Sequence, residues 1–173
     1  MSSPKNLDSL TLRSDLGRKG EELAAAYLNQ QGFQIVAANF TVPVGRNRND
    51  AVINVEIDLV AYEGPVLCFV EVKTRASDWF APPTANVDLR KQRQVTRAAR
   101  VYRRMFGLEA EPYRFDVVSI VLPPDEDSNS EIGKTLINDG NERNEALFQI
   151  DLLRNFWAKD KFRHQRPQYN YWD

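Results

Sequence analysis

Four charged residues interrupt two otherwise apolar runs in this 173-residue chain. Glu56 and Asp58 lie in Val-Ile-Asn-Val-Glu-Ile-Asp-Leu-Val-Ala-Tyr, which starts at Val52, and Glu71 and Lys73 lie in Val-Leu-Cys-Phe-Val-Glu-Val-Lys-Thr-Arg, which ends at Arg75. Carboxylates among residues apolar enough to be buried are costly unless they are paired or hold a metal. Close together they repel and raise one another's pKa until a cation neutralises them. Mg²⁺ is commonly held by one or two carboxylates, completed by waters and phosphate oxygens, which makes Asp58 and Glu71 the candidate ligands, for Mg²⁺ or for Mn²⁺. Lys73 is spaced to orient a water or to stabilise charge developing on a phosphate. The competing reading makes Glu56, Glu71 and Lys73 cross-strand ion pairs on a solvated face. Leu67 and Phe69, on the same face as Glu71, count against a wet surface.

The elements that must position these groups follow from pattern. Residues 52–75 read as a β-hairpin turning at Glu63-Gly64-Pro65. A loop closing with Tyr62 near Pro65 sets Asp58 opposite Phe69, Glu56 opposite Glu71 and Asn54 opposite Lys73, all on one face. Upstream, residues 1–13 read as a loose arm, and Ser14 or Asp15 as the cap of a helix over 16–31 that Gly32 stops. Glu21 falls within that helix's apolar stripe, between Gly17 and Ala24. From periodicity it is equally a snorkelling edge residue and a further acid for the site. Residues 33–38 suggest a short strand, and 39–50, with Pro43, Gly45, Arg46 and Arg48, a solvated loop.

After the hairpin, residues 76–86 form a flanking loop whose Trp79 and Phe80 either stack a base or pin the loop to the core. A helix follows over 87–106, with Val95, Ala98, Ala99, Tyr102, Met105 and Phe106 at helical spacing, and Gly107 ends it. Its other face carries Arg90, Lys91, Arg93, Arg97, Arg100 and Arg104. From Arg75 to Arg104 there are eight basic residues against two acids, the footprint of a phosphate-binding surface; Arg75 itself is either a phosphate clamp or a surface residue. Residues 113–122 read as a strand in which Asp116 pairs structurally with an arginine, 146–150 as a last strand, and 151–157 as a short helix.

The net charge of −1 conceals that patch, because the insert 123–145 holds seven acids against two basic residues. This insert reads as a long loop or a disordered segment. A single cysteine, Cys68, and a single histidine, His164, exclude a disulfide framework or zinc site built within the chain. No apolar run reaches the ~18 residues of a membrane span and the N-terminus lacks a secretory h-region, so the expected location is cytoplasmic, with no membrane partner. The tail 158–173 mixes basic and aromatic residues, suited either to nucleic acid or to docking on this chain or a second copy. The expected layout is one domain over 14–157.

Glu56-Ile57-Asp58 followed by Glu71-Val72-Lys73 resembles the Asp…Glu-X-Lys signature of the restriction-endonuclease-like PD-(D/E)XK nucleases. Gly17, Gly20-Glu21, Ala24, Tyr27, Leu28, Gly32 and Asn39 before it, and Arg114-Phe115-Asp116-Val117-Val118 after it, resemble the small bacterial family called YraN-like, or UPF0102, similar to archaeal Holliday-junction resolvases. The resemblance covers about residues 14–122; a longer link after Asn39, and Val55 where the family commonly has Gly, depart from it. It implies an α/β restriction-endonuclease-like core, a mixed β-sheet flanked by helices. It implies further a Mg²⁺-dependent endonuclease for DNA, branched or structured, in which Asp58 and Glu71 hold the metal, Glu21 completes the site, Lys73 assists the attacking water and Lys91 contacts substrate. Junction cutting would call for a homodimer. The alternatives are a non-catalytic nucleic-acid-binding module of the same fold and a protein-interaction domain.

Overall fold

Two β-branched runs meeting at Gly64-Pro65 form the centre of the molecule, the antiparallel pair β2 (Val52–Glu63) and β3 (Val66–Ala76). Gly64 takes the left-handed φ of +55° that the tight turn requires and that glycine adopts without steric cost. The computed structural model describes residues 5–76, 87–122 and 149–158. In it β1 (Gln34–Arg46) pairs antiparallel with β2, β4 (Tyr113–Leu122) runs parallel to β3, and β5 (Gln149–Leu153) closes the far edge antiparallel to β4. The spatial order β1-β2-β3-β4-β5 follows the chain. Parallel neighbours cannot be joined by a tight turn, and the crossover between β3 and β4 contains α2 (Leu89–Met105); α1 (Lys5–Gln30) precedes β1. The result is the α/β class with a mixed sheet flanked by helices.

The pleat sends alternate residues of β3 to opposite faces. Leu67 and Phe69 join Phe115 and Val117 of β4 under Val95, Ala98, Ala99 and Tyr102 of α2. Cys68, Val70 and Val72 join Val118 and Ile120 under Ala24 and Leu28 of α1. Trp157, past β5, stacks on Phe115 with centroids 4.7 Å apart, and its indole N–H donates to Thr96 Oγ1 of α2 at 3.1 Å. Gly20 of α1 lies against β3 so closely that a Cβ there would stand 1.8 Å from Thr74 Oγ1, which fixes the next residue, Glu21, beside the sheet.

Several local expectations are corrected. α1 begins at Lys5, so residues 5–13 are helical where an arm was expected, and Ser14 and Asp15 lie within the helix. Polar residues favour caps, but continuing a nucleated helix costs less than starting one. β1 runs through the stretch expected to be a loop as far as Arg46. It tolerates Pro43 and Gly45 because it is an edge strand whose register shifts between Pro43 and Gly45. Arg46 is tied to Asp50 at 3.1 Å in the exposed turn that follows. The final segment is inverted from expectation: residues 151–153 belong to β5, and the turn beyond places Asn155 at φ +52°. Ile150 and Leu152 pack against the core of the α1 side, which favours an extended strand there over a helix. Met105 and Phe106, expected in the apolar stripe of α2, are exposed at its end. The expectations for Trp79 and Phe80, for the insert 123–145 and for the tail from 159 on lie outside the described residues.

Candidate active site

The ladder between β2 and β3 runs from Glu63↔Val66 to Leu59↔Val70. At the next step the N–H of Val72 donates instead to the carboxylate Oδ2 of Asp58, at 2.8 Å. A side chain thus replaces a backbone acceptor where the two strands part. On the other side of β2, Asn39 lies between the pairs Ala38↔Leu59 and Phe40↔Ile57, across from Asp58, with φ +51°. Asparagine is one of the few non-glycine residues that enter this left-handed region readily. Around this point the alternation of β2 inverts: Leu59 and Ala61 pack on the α1 side, Ile57 and Val55 on the α2 side.

That inversion and a shifted register correct the expected face. Phe69 stands opposite Val60, not Asp58: the two-residue turn sits one residue later than expected, at Gly64-Pro65, and the pairing register shifts by two. A two-residue shift leaves every side chain on its face, so Asp58, Glu71 and Lys73 still converge. Glu56 and Asn54 do not join them; both are exposed, and Glu56 Oε2 takes a long 3.5 Å contact from Thr41 Oγ1.

Glu71 is the most enclosed of these acids, 1% exposed. Lys73, two residues along the same strand face, donates from Nζ to Glu71 Oε1 at 2.6 Å. Lys91, from the first turn of α2, brings its Nζ to 3.1 Å from Glu71 Oε2 and 3.7 Å from Asp58 Oδ1. At Oε2 this is an ion pair off hydrogen-bond alignment, since that buried atom has no hydrogen-bond partner among the described residues. Asp58 is pushed up to about 6, chiefly by burial and next by the charge of Glu71, against the pull of Lys91. Burial pulls the Lys91 ammonium down, but Asp58 and Glu71 outweigh it and leave its pKa above the ordinary lysine value.

Glu21 faces this group from α1. Its pKa is raised by partial burial, opposed by a hydrogen bond with the Asn39 side chain, and raised again by Glu56 and Glu71. It stands in the field of Lys91 and Glu71 without closing on them: among the described residues no three His, Cys, Asp or Glu side chains converge as a metal cage. The site is therefore two carboxylates, Asp58 and Glu71, flanked by two lysines, with Glu21 at its rim.

Arg75 is half-buried on β3, two residues past Lys73. Arg90, Arg93, Arg97, Arg100 and Arg104 line the exposed side of α2. Lys91 leaves that stripe and turns inward, which its place among basic neighbours did not reveal. A local signal existed. Asp88 caps α2 by accepting from the N–H of Lys91, so the lysine sits in the first turn, where the helix dipole disfavours a cation. Asn39 was likewise legible as part of a motif but not as the partner of Glu21. Asp116 is structural, as expected: fully buried, it accepts from Arg114 Nε at 2.9 Å and from the N–H of Asn155 at 2.8 Å. Cys68 is a buried core residue whose thiol is pushed up to about 12, mainly by burial. No helix among the described residues is long and apolar enough to cross a membrane.

Over residues 20–120, a span that contains Glu21, Asp58, Glu71, Lys73 and Lys91, the chain matches the model of the family described as Uncharacterised protein family UPF0102. A UPF0102 protein of Solibacter usitatus (strain Ellin6076) is 43% identical over 106 residues, covering 61% of this chain and 74% of the relative. A UPF0102 protein of Porphyromonas gingivalis (strain ATCC BAA-308 / W83) is 42% identical over 112 residues, covering 65% and 75%. One from Symbiobacterium thermophilum is 40% identical over 110 residues, covering 64% and 85%.

Proposed function

The chain belongs to the UPF0102 family, and from that premise we propose that it is a divalent-metal-dependent nuclease hydrolysing phosphodiester bonds in DNA, with branched or structured DNA as its preferred substrate. The observation that carries this reading is the pair of carboxylates at the fork of β2 and β3. Asp58 Oδ1 and the buried Glu71 Oε2, which has no hydrogen bond among the described residues, both face a single ammonium, that of Lys91. Two carboxylate oxygens turned toward one cation suit Mg²⁺ or Mn²⁺, which take few protein carboxylates and fill the rest of their shell with water and phosphate oxygens. Asp58 and Glu71 would hold the ion, which when bound polarises a phosphoryl oxygen and lowers the pKa of a water.

The chain's own residues divide the remaining work. Lys73 holds Glu71 through the 2.6 Å contact and presents positive charge where a scissile phosphate gains negative charge. Glu21, half-buried and held by Asn39, accepts a proton from water more readily than an exposed glutamate, and so orients the attacking water. The arginines at positions 90, 93, 97, 100 and 104 extend over about 21 Å of helix at 1.5 Å per residue, a length that follows several consecutive phosphates. Symmetric cutting of a junction would use two copies of the chain.

One observation favours a second reading. Lys73 and Lys91 pair with Asp58 and Glu71 two cations to two anions, the charge balance that a non-catalytic DNA-binding module of this fold would require. The deciding experiment offers labelled linear duplex, single strand, flap and four-way junction, with Mg²⁺ or Mn²⁺, to the wild type, Glu71→Ala and Lys73→Ala. The nuclease reading expects metal-dependent cutting that both substitutions reduce on the order of 10³-fold while binding persists. Binding without cutting, unchanged in both variants, would replace it with the binding module. Neither binding nor cutting would point to a protein-interaction domain.

A further inference from the structure

Lys91 is out of place on two counts. It sits in the first turn of α2, behind the Asp88 cap, where the unpaired N–H groups of the helix already present partial positive charge. It also leaves a run of exposed arginines to reach inward, with its side chain 30% exposed and its Nζ 3.1 Å from Glu71 Oε2 and 3.7 Å from Asp58 Oδ1. Both costs are offset by the same two oxygens assigned above to a divalent ion. Lys73 does not share them: its contact is with Glu71 Oε1, on the other side of that carboxylate. The two lysines therefore have separate stations, one beside the ion position and one on it.

We propose that Lys91 is an internal competitor for the divalent-ion position, holding Asp58 and Glu71 together in the ion-free protein and giving way when the ion enters. This rests on the metal-binding reading of the site and adds to it a positioning residue and an order of events. In the ion-free protein the Lys91 ammonium prevents the two buried acids from repelling each other apart, so the strand fork stays formed. When the ion arrives, the flexible four-carbon stem lets Nζ swing aside with the helix in place. The freed ammonium then lies at the head of the arginine stripe, where a substrate phosphate is its natural partner. Divalent ion and substrate are thereby linked: entry of the ion releases a phosphate-binding cation.

The test measures Mn²⁺ binding to the full chain by isothermal titration calorimetry, with melting temperatures read alongside, for wild type, Lys91→Met, Lys91→Arg and Glu71→Gln. Removing the competing ammonium in Lys91→Met should tighten Mn²⁺ binding about tenfold or more, since a unit charge at this separation in a partly buried site is worth more than a factor of ten. The same variant should melt lower than wild type without ion and regain that loss at saturating Mn²⁺. A lysine with only a structural role would move affinity the other way. Should Lys91→Met fail to fold, Lys91→Arg decides: its planar fork grips two carboxylate oxygens more firmly than an ammonium and should weaken Mn²⁺ binding. Mn²⁺ affinity lost in Glu71→Gln but unchanged in both Lys91 variants would overturn this proposal alone. No Mn²⁺ binding by any of the four, wild type included, would overturn the metal reading together with it.

Discussion

Glu71 and Asp116 are buried carboxylates on neighbouring parallel strands, one register step apart, and the protein treats them in opposite ways. Asp116, on the α1 face, has its acceptors filled by the guanidinium of Arg114 and the backbone N–H of Asn155. Arg114 in turn bonds Glu63, which also takes Arg154, so the hairpin turn, β4 and the segment after β5 are tied into one network. Phe33 lies beneath both arginines. Glu63 is accordingly held below the ordinary glutamate range, first by its hydrogen bond from Arg154 and against partial burial. Where β2 and β3 part, Glu71 is served by Lys73 and Lys91 and Asp58 by Lys91 and the N–H of Val72, Asp58 is pushed up to about 6, chiefly by burial, and Glu71 Oε2 has no hydrogen bond among the described residues. Each cluster also takes one backbone donor, so the cations make the difference: planar guanidinium forks lock a structure, whereas point-charge ammonium groups on flexible stems leave a site open to exchange. Burial alone does not distinguish the two clusters; the donors do.

Matched substitutions separate them furthest. Asp116→Asn should cost about 3–5 kcal/mol in urea unfolding, because it leaves Arg114 and a buried N–H without their anion. Asp58→Asn, at neutral pH and without divalent ion, should cost less than about 1 kcal/mol, since it removes a repelled, desolvated charge. Equal losses at both positions would erase the distinction.

The two clusters also carry opposite pH signs. The folded chain keeps a proton on Asp58 up to about pH 6 that the unfolded chain releases near 3.8, so this group's contribution falls as pH rises from 4 to 6, by at most about 3 kcal/mol. Glu63, held low, contributes stability above its ordinary range that is lost as pH falls through its folded pKa. Unfolding of wild type against Asp58→Asn at pH 4.5 and pH 7 isolates the first slope, which should vanish in the variant.

Smaller in size is the effect of Gly20→Ala, expected to cost about 2 kcal/mol and to lower the melting temperature, because its Cβ would stand 1.8 Å from Thr74 Oγ1 and force α1 off the strand that carries Lys73. A melting temperature equal to wild type would show that Glu21 is not held beside the site by this contact. Least of all, Arg97→Ala should leave stability within about 0.5 kcal/mol and reduce the salt dependence of DNA binding by roughly one phosphate contact, read as a slope change of about 0.7–0.9 in log affinity against log salt.

The acids of the site were legible because the two-residue period of a strand is local: Asp58, Glu71 and Lys73 share a face under either the expected register or the observed one. Glu56 lies outside the site because the inversion of β2 opposite Asn39 is a backbone conformation chosen where β1 packs beside it, and no periodicity announces it. β1 runs past the expected strand 33–38 because proline and glycine that punctuate an isolated segment are accommodated on the edge of a sheet.

The amino-acid order by itself determined the mixed α/β architecture, the hairpin, the basic face of α2 and the identity of the acid pair, since each rests on period, turn chemistry or charge within one element. Only the tertiary structure decided which cation stands on those acids and which stays on the surface. Lys91 and its arginine neighbours carry similar charge in sequence; they part because α2 crosses over the sheet with its first turn at the fork of β2 and β3. The desolvated carboxylates there draw in the lysine within reach, while the arginines along the rest of the exposed face remain in water.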